Sequence, residues 1–385
     1  MAMDKTEIKE KIRKLKAKVK KNDLLIKQLD IQQYVLKILI NSSYGAISNQ
    51  NNPIGNDRLA NAITGAGSTS IKKVNDIAKA FVKMKRGDKE DDTFDYSKVV
   101  VANDTDSAYI SLVGCGVKMF EDGLVTEEGY NLAAECDEYI NKEFAKWYGD
   151  ISNSNNVTVN FKREKICDKA LFLKKKDKDE EAKKNYVLHV IDDENTVYKG
   201  GKFKYTGVKF KRTVIPAALR ETGKTIVENM ILTDNMYETN NLLSSIYEKF
   251  KTMDIDEKAV IQRCNNMEKY KIDSDREFIS GTPGHIRAAM NFNRVIKKMG
   301  LKKYQDIASG DTAKVVFLKP NKFDIDKIAY IDTWPKEFVG VFDVDDSVMF
   351  KKTLFDEIGR FYKSVDWPVF DPTKNYALNL LDLIG

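Results

Sequence analysis

The amino-acid sequence predicts an α+β protein in which an antiparallel sheet region lies between a helical N-terminal part and a mainly helical C-terminal part. Near the N-terminus, Ile12, Leu15 and Val19 recur at three and four residues, the spacing of an apolar stripe on a helix. The stretch VVVANDTDSAYISL, residues 99–112, has two runs of β-forming residues around a polar tip, which predicts a hairpin. Pro216 then begins a long region of helical patterns.

The expected elements follow one another along the chain as helices, hairpin, helix, strands and helices. Asn22 and Asp23 divide the first helical pattern, so residues 24–44 form either the second arm of a helical hairpin or the rest of one broken helix. The remaining expected elements are a helix over 57–85, the hairpin over 97–112, a helix over 127–146, strands between 158 and 211, helices over 216–300, and short strands from 303 with one helix near 354–365.

Composition excludes several classes of protein. The 385 residues are 42% hydrophobic, and 64 Lys and Arg against 58 Asp and Glu leave a net charge of only +6, so local basic clusters must meet any polyanion. Four widely spaced cysteines and two histidines argue against a zinc site and for reduced thiols. Without an apolar run of about 18 residues or a signal-peptide pattern, we expect a soluble intracellular protein with no membrane contact.

Two carboxylates, Asp104 and Asp106, lie one residue apart at the tip of the predicted hairpin. Neighbouring anions repel each other unless a proton or a cation lies between them. Because side chains two apart on a strand point to the same side, both carboxylates could converge on one divalent ion. Hard oxygen ligands suit Mg²⁺, which takes its other ligands from water and substrate phosphates. A polar turn without a metal explains the same residues equally well.

A second candidate group lies on the helix that ends in KILINSSYG, residues 37–45. Lys37, Asn41 and Tyr44 share one face of this helix. A lysine there can hold a triphosphate, a tyrosine can lie against a base pair, and Gly45 permits close approach of the backbone to a ligand. An amphipathic helix with an incidental lysine is the alternative interpretation when this helix is considered by itself.

These two segments, in this order, resemble motif B and motif C of family B DNA polymerases. KILINSSYG resembles Lys-x-x-x-Asn-Ser-x-Tyr-Gly, and ANDTDSAYI resembles the Asp-Thr-Asp-Ser motif. The resemblance to replicative polymerases of T-even-type bacteriophages extends over nearly the whole chain. It implies a family B polymerase-like fold, with a helical fingers remnant over residues 1–50, an antiparallel palm sheet over 51–215 and a mainly helical thumb over 216–385.

The resemblance also implies a reaction and its metal ligands. Asp106 would be the surest metal ligand and Asp104 its acidic companion. Together they would hold two Mg²⁺ ions, with Mn²⁺ as the alternative ion, for nucleotidyl transfer from a dNTP to a primer 3′-OH.

Four residues of the motif B helix would belong to the nucleotide pocket. Lys37 would contact the triphosphate of the incoming nucleotide. Asn41, Tyr44 and Gly45 would help to shape the pocket of the nascent base pair.

Basic residues interleave with aromatic ones between residues 162 and 212, and such lysines hold a duplex by its phosphates without reading its sequence. Lys183, Lys184 and Tyr186 resemble the Lys-Lys-Arg-Tyr motif that grips primer–template DNA in the family. Asn185 replaces the arginine of that motif. A solvated β face is the alternative interpretation for most of these lysines.

Further DNA contacts are expected on both sides of the sheet-to-thumb junction. The alternation of side chains reverses phase after Gly207, which predicts a bulge or bend. Lys209, Lys211 and Arg212 follow this bend and are expected to contact DNA, as is Arg287 in the thumb.

The C-terminal segment ALNLLDLIG is short and apolar. In the resembling phage enzymes a similar tail docks into the sliding clamp, which implies Leu380, Leu383 and Ile384 as anchors. A terminal helix that packs on its own domain is an equally good interpretation.

The motif A pattern of the family, Asp-x-x-Ser-Leu-Tyr-Pro, does not occur in the 385 residues, and neither do the exonuclease carboxylates or the first fingers helix. We therefore expect one subunit of a split polymerase, inactive alone, whose partner chain carries motif A with the N-terminal and exonuclease domains. Expected ligands are primer–template DNA and dNTPs, and the expected location is the cytoplasm of an infected host cell.

A non-catalytic DNA-binding or clamp-tethering subunit is the competing hypothesis. RNA synthesis or reverse transcription is a weaker one, because the residue that screens the sugar 2′-OH belongs to motif A.

Overall fold

The computed structural model describes residues 5–87, 94–104, 106–153, 159–174, 181–270 and 278–374. The expected α+β class is confirmed, and all strand pairings within these residues are antiparallel. The elements are α1 (Lys5–Ser48), α2 (Asp57–Arg86), β1 (Val100–Asp104), β2 (Ser107–Ile110), β3 (Phe120–Glu121), β4 (Leu124–Val125), α3 (Glu127–Ser152), β5 (Lys165–Lys174), β6 (Glu181–Asp193), β7 (Thr196–Thr206), α4 (Ala217–Thr233), α5 (Met236–Thr252), α6 (Ile255–Lys258), β8 (Val260–Arg263), α7 (Gly284–Lys298), β9 (Thr312–Phe317), β10 (Lys327–Tyr330), α8 (Asp346–Phe350) and α9 (Asp356–Ser364). Within the described ranges, no helix combines the length and the apolar composition that crossing a membrane requires.

The chain divides into two compact units. The first consists of Met1–Gly116 with Glu138–Asn160, and the second consists of Val117–Asp137 with Phe161–Gly385. The boundary falls inside α3, whose two halves belong to different units. The boundaries expected at residues 50 and 215 separate fingers, palm and thumb by function, whereas these two units are separated by packing. The functional boundaries therefore stay a prediction.

Helix α1 runs without interruption from Lys5 to Ser48, so the expected break at Asn22 and Asp23 is wrong. Each of these residues disfavours a helix by only about 0.7 kcal/mol relative to alanine, which is too little to end one flanked by good helix formers. The chain turns after α1, where the Asn56 N–H donates to the Ile47 carbonyl over 2.8 Å. Asn56 then caps α2 by accepting a hydrogen bond from the Leu59 N–H.

Helix α2 provides the core of the first unit and supports the β1–β2 hairpin. Its buried face consists of Ala60, Ile71, Val74, Ile77, Ala78, Phe81 and Val82. The ring of Phe81 lies 5.5 Å from that of Tyr139 in the second half of α3. Both hairpin strands contact α2, and Val99, directly before β1, is fully buried. The hairpin is therefore held by its base, which leaves its tip free to carry polar side chains.

The second unit is built on two three-stranded antiparallel sheets. In the first sheet β6 lies between β5 and β7, with Tyr186 opposite Phe172 on one side and Thr206 on the other. In the second sheet β9 lies between β10 and β8. One continuous core joins these sheets to α4, α5, α7 and α9. Residues 260–263 form strand β8 where a helix was expected. Their hydrogen-bonded pairing with β9 decides the conformation here, rather than the helical pattern of the local sequence.

Asp192 joins three segments of the second unit at one end of the β5–β7 sheet. Its buried carboxylate accepts hydrogen bonds from Arg163 Nη1 at 2.5 Å, from the Tyr130 hydroxyl at 3.1 Å and from the Asn195 N–H at 3.2 Å. Burial by itself would raise the pKa of Asp192, but these hydrogen bonds outweigh burial and hold the pKa below its ordinary value.

Replacing Asp192 by Asn should destabilise the second unit by about 3 kcal/mol at neutral pH, because Arg163 loses its counter-charge in a largely buried site. Since the folded pKa is lowered, the contribution of the native carboxylate is complete above the unfolded-state pKa of about 3.9. It disappears as the pH falls through the lower folded value. Denaturant unfolding at a series of pH values should therefore show a stability gap between wild type and D192N that is constant at neutral pH and shrinks below about pH 4.

The matched control is Asp193→Asn, which removes the neighbouring carboxylate from a more exposed pair with Lys165. It should cost less than about 1 kcal/mol. A gap between wild type and D192N that persists unchanged into strong acid would contradict this account of the Asp192 network.

Candidate active site and nucleic-acid interface

The tip of the β1–β2 hairpin carries the two candidate metal ligands. Asp104 is the last residue of β1 and pairs with Ser107, the first residue of β2. Asp106 lies in the turn, and its N–H donates to the Asp104 carbonyl over 2.6 Å. The Ser107 hydroxyl donates to the same carbonyl over 3.1 Å. These two bonds fix the tip, at which Asp104 is half-buried and Asp106 is exposed.

The donor set at this tip consists of two carboxylates. Because β1 ends at Asp104, the alternation of side chains along a strand does not determine where Asp106 points. Two carboxylates fit Mg²⁺, which binds one or two protein carboxylates and keeps water or phosphate oxygens as its other ligands. Within the part of the chain that the structure describes, no cluster of three or more His, Cys, Asp or Glu is arranged around a metal position. Asp104 and Asp106 can thus complete a site with ligands from a substrate or a further chain.

The motif B residues lie in the last three turns of α1. Lys37, Asn41 and Tyr44 all have exposed side chains. A Cβ placed on Gly45 would meet no atom within 4 Å, so nothing in the described chain requires glycine there. That open space agrees with a surface that a ligand backbone or phosphate approaches closely. Both α1 and the hairpin adjoin α2, which places the motif B and motif C candidates in one compact unit.

The basic Lys-Lys-Asn-Tyr motif lies in β6 of the second unit. Lys183 belongs to this strand, but its side chain is outside the described residues. Lys184 is exposed and has a left-handed backbone, with φ at +59°. Tyr186, two residues later, is buried, with its ring 5.4 Å from that of Phe172. In a regular strand these two side chains would share a face, so the left-handed residue is what turns Lys184 outward.

Gly207 lies beside this irregular residue. Its φ is +67°, and a Cβ added there would collide with the carbonyl oxygen of Lys184. The bend expected at Gly207 is confirmed, and its physical reason is the close approach of two backbones. The local signal in the sequence was the reversal of alternation, but the partner of the close approach could not be read from it.

Lys209 connects the end of the sheet to α9. Its N–H donates to Glu357 Oε1 over 3.0 Å, and its Nζ donates to the Lys352 carbonyl over 2.7 Å. The side chain is half-buried, so Lys209 holds the chain in place as well as adding positive charge.

The other residues expected to bind DNA differ in exposure. Lys211 and Arg212 are exposed. Arg287 of α7 is half-buried, and its Nε has no hydrogen-bond partner among the residues that the structure describes. The expected clamp anchors Leu380, Leu383 and Ile384 lie outside the described residues.

Sequence reasoning missed a basic cleft beside α9. The cleft has a volume of about 380 Å³, and its basic lining residues are Lys174, Lys352, Arg360 and Lys363. Arg360 and Lys363, three residues apart on α9, share a helical face and were a readable signal, whereas Lys352 lies before this helix. The contribution of Lys174 came from β5, far away in sequence, and only the fold brings it to this cleft.

Comparison with known proteins gives consistent matches. The model of DNA polymerase family B matches residues 4–360. The DNA-directed DNA polymerase of Escherichia phage RB69 is 27% identical over 308 residues, covering 76% of this chain and 32% of that protein. The DNA-directed DNA polymerase of Enterobacteria phage T4 is 24% identical over 354 residues, covering 85% of this chain and 36% of that protein. The chain thus spans about a third of the length of these relatives, and the resemblance expected from its motifs is confirmed.

Replacing Gly207 by Ala should destabilise the second unit by about 3 kcal/mol, from left-handed backbone strain and the collision with Lys184 together. The control is Gly300→Ala, at a nearly identical φ of +68° where no atom lies within 4 Å of the new Cβ. That variant should cost only about 1 kcal/mol. Equal losses in the denaturant midpoint would show that the close backbone approach is not what Gly207 provides.

Proposed function

This chain belongs to DNA polymerase family B, and from that premise we propose that it is the palm and thumb subunit of a DNA polymerase that needs a second chain. Its activity would be template-directed DNA synthesis in the cytoplasm of an infected host cell. The observation that carries the proposal is the Asp104 and Asp106 pair at a fixed hairpin tip, in the same unit as the exposed Lys37 face of α1.

The hairpin residues would act on the primer end and the nucleotide. Asp104 and Asp106 would hold Mg²⁺ ions, which when bound neutralise charge on the attacking and leaving oxygens of a phosphoryl transfer. The tip is fixed by the two hydrogen bonds to the Asp104 carbonyl, so the two carboxylates need little reorganisation on binding. Mn²⁺ has the same preference for oxygen ligands and is the alternative ion.

The α1 residues would act on the nucleotide itself. The exposed ammonium of Lys37 can meet a triphosphate as a point charge. Asn41 offers an amide and Tyr44 an aromatic ring on the same face, which suits the edge and plane of a base pair. The space around Gly45 leaves room for that pair.

The second unit would hold the duplex. Lys184, Lys211 and Arg212 are exposed cations that can pair with phosphates without reading sequence, and Arg287, half-buried in α7, would add a further guanidinium. Lys183 would extend this set. Tyr186 is buried against Phe172, so its part would be to fix the strand that carries Lys184.

The exposed apolar surface of α1 supports the proposal of a second chain. Large apolar side chains that α1 leaves exposed include Leu24, Leu25, Ile26, Leu29, Ile31, Val35, Leu36, Ile38, Leu39 and Ile40. Burying apolar surface stabilises by about 25 cal/mol per Å², and patches of this extent on a protein mark interaction sites. The occupant would be a helix of the chain that also supplies motif A and the exonuclease carboxylates.

The clamp contact is a separate part of the proposal. Leu380, Leu383 and Ile384 would anchor the chain to a sliding clamp through the apolar C-terminal segment. Deleting residues 377–385 should then shorten the products of a single binding event without changing the rate of single-nucleotide addition.

Substitution of the aspartates tests catalysis. The second chain is first identified by co-purification from the native source, and the pair should extend a primed template with dNTPs and Mg²⁺, whereas this chain alone should not. D104N and D106N should each lower the extension rate of the pair by about 10²-fold or more while duplex binding is retained. The matched control is D122N, in the turn between β3 and β4, which should leave extension unchanged.

Two results would overturn the proposal. Extension by this chain alone, free of host polymerase, would remove the need for a partner. Unchanged extension by D104N and D106N would instead indicate a DNA-binding or clamp-tethering subunit.

Two substitutions in α1 test its apolar surface. Leu29→Asp places a charge in the exposed apolar surface, 54% exposed at Leu29, and should abolish co-elution with the second chain in size-exclusion chromatography. Lys18→Gln makes the same change of net charge at an exposed position of α1 outside this apolar surface, and should preserve co-elution. Both variants should unfold like the wild type, because both side chains are exposed. Retained co-elution of L29D would exclude this part of α1 as the partner surface.

A further inference from the structure

Helix α1 carries a seven-residue repeat along one side. From Ile12 onward the repeat advances alternately by three and four residues, and we call this narrow strip the α1 seam. Its members are Ile12, Leu15, Val19, Asn22, Ile26, Leu29, Gln33, Leu36 and Ile40. A straight helix has 3.6 residues per turn, so a strict seven-residue repeat is typical of helices that wind around a partner helix.

The α1 seam is open to solvent in this chain. Its apolar side chains are between 47% exposed, at Ile12, and 69% exposed, at Ile40. With Leu25 and Leu39 beside it, the seam is a strip about 42 Å long and about 12 Å wide. Two copies facing each other would cover about 1,000 Å² in all, the size from which specific interfaces begin.

The residue types in the seam alternate in a way that favours one kind of partner. At one of the two positions of the repeat the apolar residues are β-branched, namely Ile12, Val19, Ile26 and Ile40. At the other position they are Leu15, Leu29 and Leu36. β-Branched residues at the first position with leucine at the second favour two parallel strands over larger bundles.

Two polar members of the seam fit a second copy of the same helix. In a parallel pair in register, Asn22 faces Asn22 of the other copy and Gln33 faces Gln33, so each amide can donate to and accept from its counterpart. In an antiparallel pair centred on the seam, the same amides would face Ile26 and Leu15 and lose their hydrogen bonds on burial. Polar seam residues of this kind set the register and the number of chains.

Charges beside the seam support pairing around its middle. In a parallel pair, a flanking residue meets the residue five positions further along the other copy. This brings Lys18 next to Asp23 twice in a symmetric dimer, close to the Asn22 pair. Lys11 meets Lys16 one heptad nearer the N-terminus, so the pairing is weakest at that end.

We propose that two copies of this chain, without the second chain, pair through the α1 seam as a parallel two-stranded coiled coil in register. The dimer itself is independent of the proposed function. Only the exchange of the other copy for the second chain rests on that function, since both would cover Leu29. A subunit that awaits its partner would thus keep an aggregation-prone apolar surface covered.

The mass of the full chain alone in solution tests the dimer. Size-exclusion chromatography with light scattering should give the mass of two chains at micromolar concentration, falling to one on dilution. Leu29→Asp should raise the dissociation constant by about 100-fold or more, because the charge would be buried in the seam. The matched control is Val35→Asp, the same kind of change at a position that is 56% exposed but outside the seam, and it should preserve the dimer. Both side chains are exposed, so circular dichroism of the two variants should match the wild type.

Cross-linking tests the orientation of the two helices. Parallel pairing places residue 15 of both copies together, whereas antiparallel pairing places it beside residue 33. Leu15→Cys should therefore form a disulfide-linked dimer with itself after mild oxidation with diamide, read by non-reducing electrophoresis. The wild type should not form this dimer, because Cys115, Cys136 and Cys264 are buried and Cys167 is half-buried.

Three results would overturn the inference. They are a wild-type chain that stays monomeric at every micromolar concentration, a dimer that L29D does not weaken, and a cross-link that forms only when L15C is mixed with Q33C. All three are measured without the second chain, so the proposed function would stand. A dimer that persists when the second chain binds would instead overturn the exchange at Leu29.

Discussion

The close approach of two backbones at Gly207 and Lys184 is the constraint on which the second unit depends. Because Gly207 has no side chain, the backbone can pass next to the Lys184 carbonyl as it leaves β7. This close approach determines where the residues that follow Gly207 lie. Phe210 enters the core against Gly223 of α4, where a Cβ would collide with its ring. Lys209 is held by Glu357 and by the Lys352 carbonyl. One backbone crossing thus positions both the exposed motif lysine and the helix that lines the basic cleft.

Local patterns predicted a large part of this fold because the elements concerned are decided locally. The β1–β2 hairpin and the helix α2 depend on residues that are neighbours in sequence, and the bend at Gly207 left a local sign in the reversal of alternation, although its partner Lys184 lies in another strand. The continuity of α1 was missed because two polar residues look like a stop signal when helix propensities are read one by one. Strand β8 was missed because its pairing partner, β9, lies about 50 residues away.

The residues of the candidate site also separate into those that local sequence patterns predicted and those that depend on tertiary packing. Residue types and spacing were enough to propose Asp104, Asp106 and the Lys37 face as candidates, since each group lies within a single hairpin or a single helix. The outward turn of Lys184 depends on a left-handed backbone, and the cleft depends on Lys174 meeting α9. Such features arise from tertiary packing, which no periodicity in the sequence records. The net charge of +6 likewise does not show where basic side chains cluster in the folded chain.

The uninterrupted length of α1 has a mechanical consequence. At 1.5 Å per residue, its 44 residues form a rod of about 66 Å, attached through the turn that follows Ser48. A tilt of about 5° at this attachment displaces the far end by about 6 Å but moves Lys37 by little more than about 1 Å. Under such a tilt the face that carries Lys37 would stay nearly still while the basic N-terminal end would move through a wide arc. If α1 holds the nucleotide and a partner chain as proposed, the partner could therefore shift at the N-terminal end with little movement at the nucleotide.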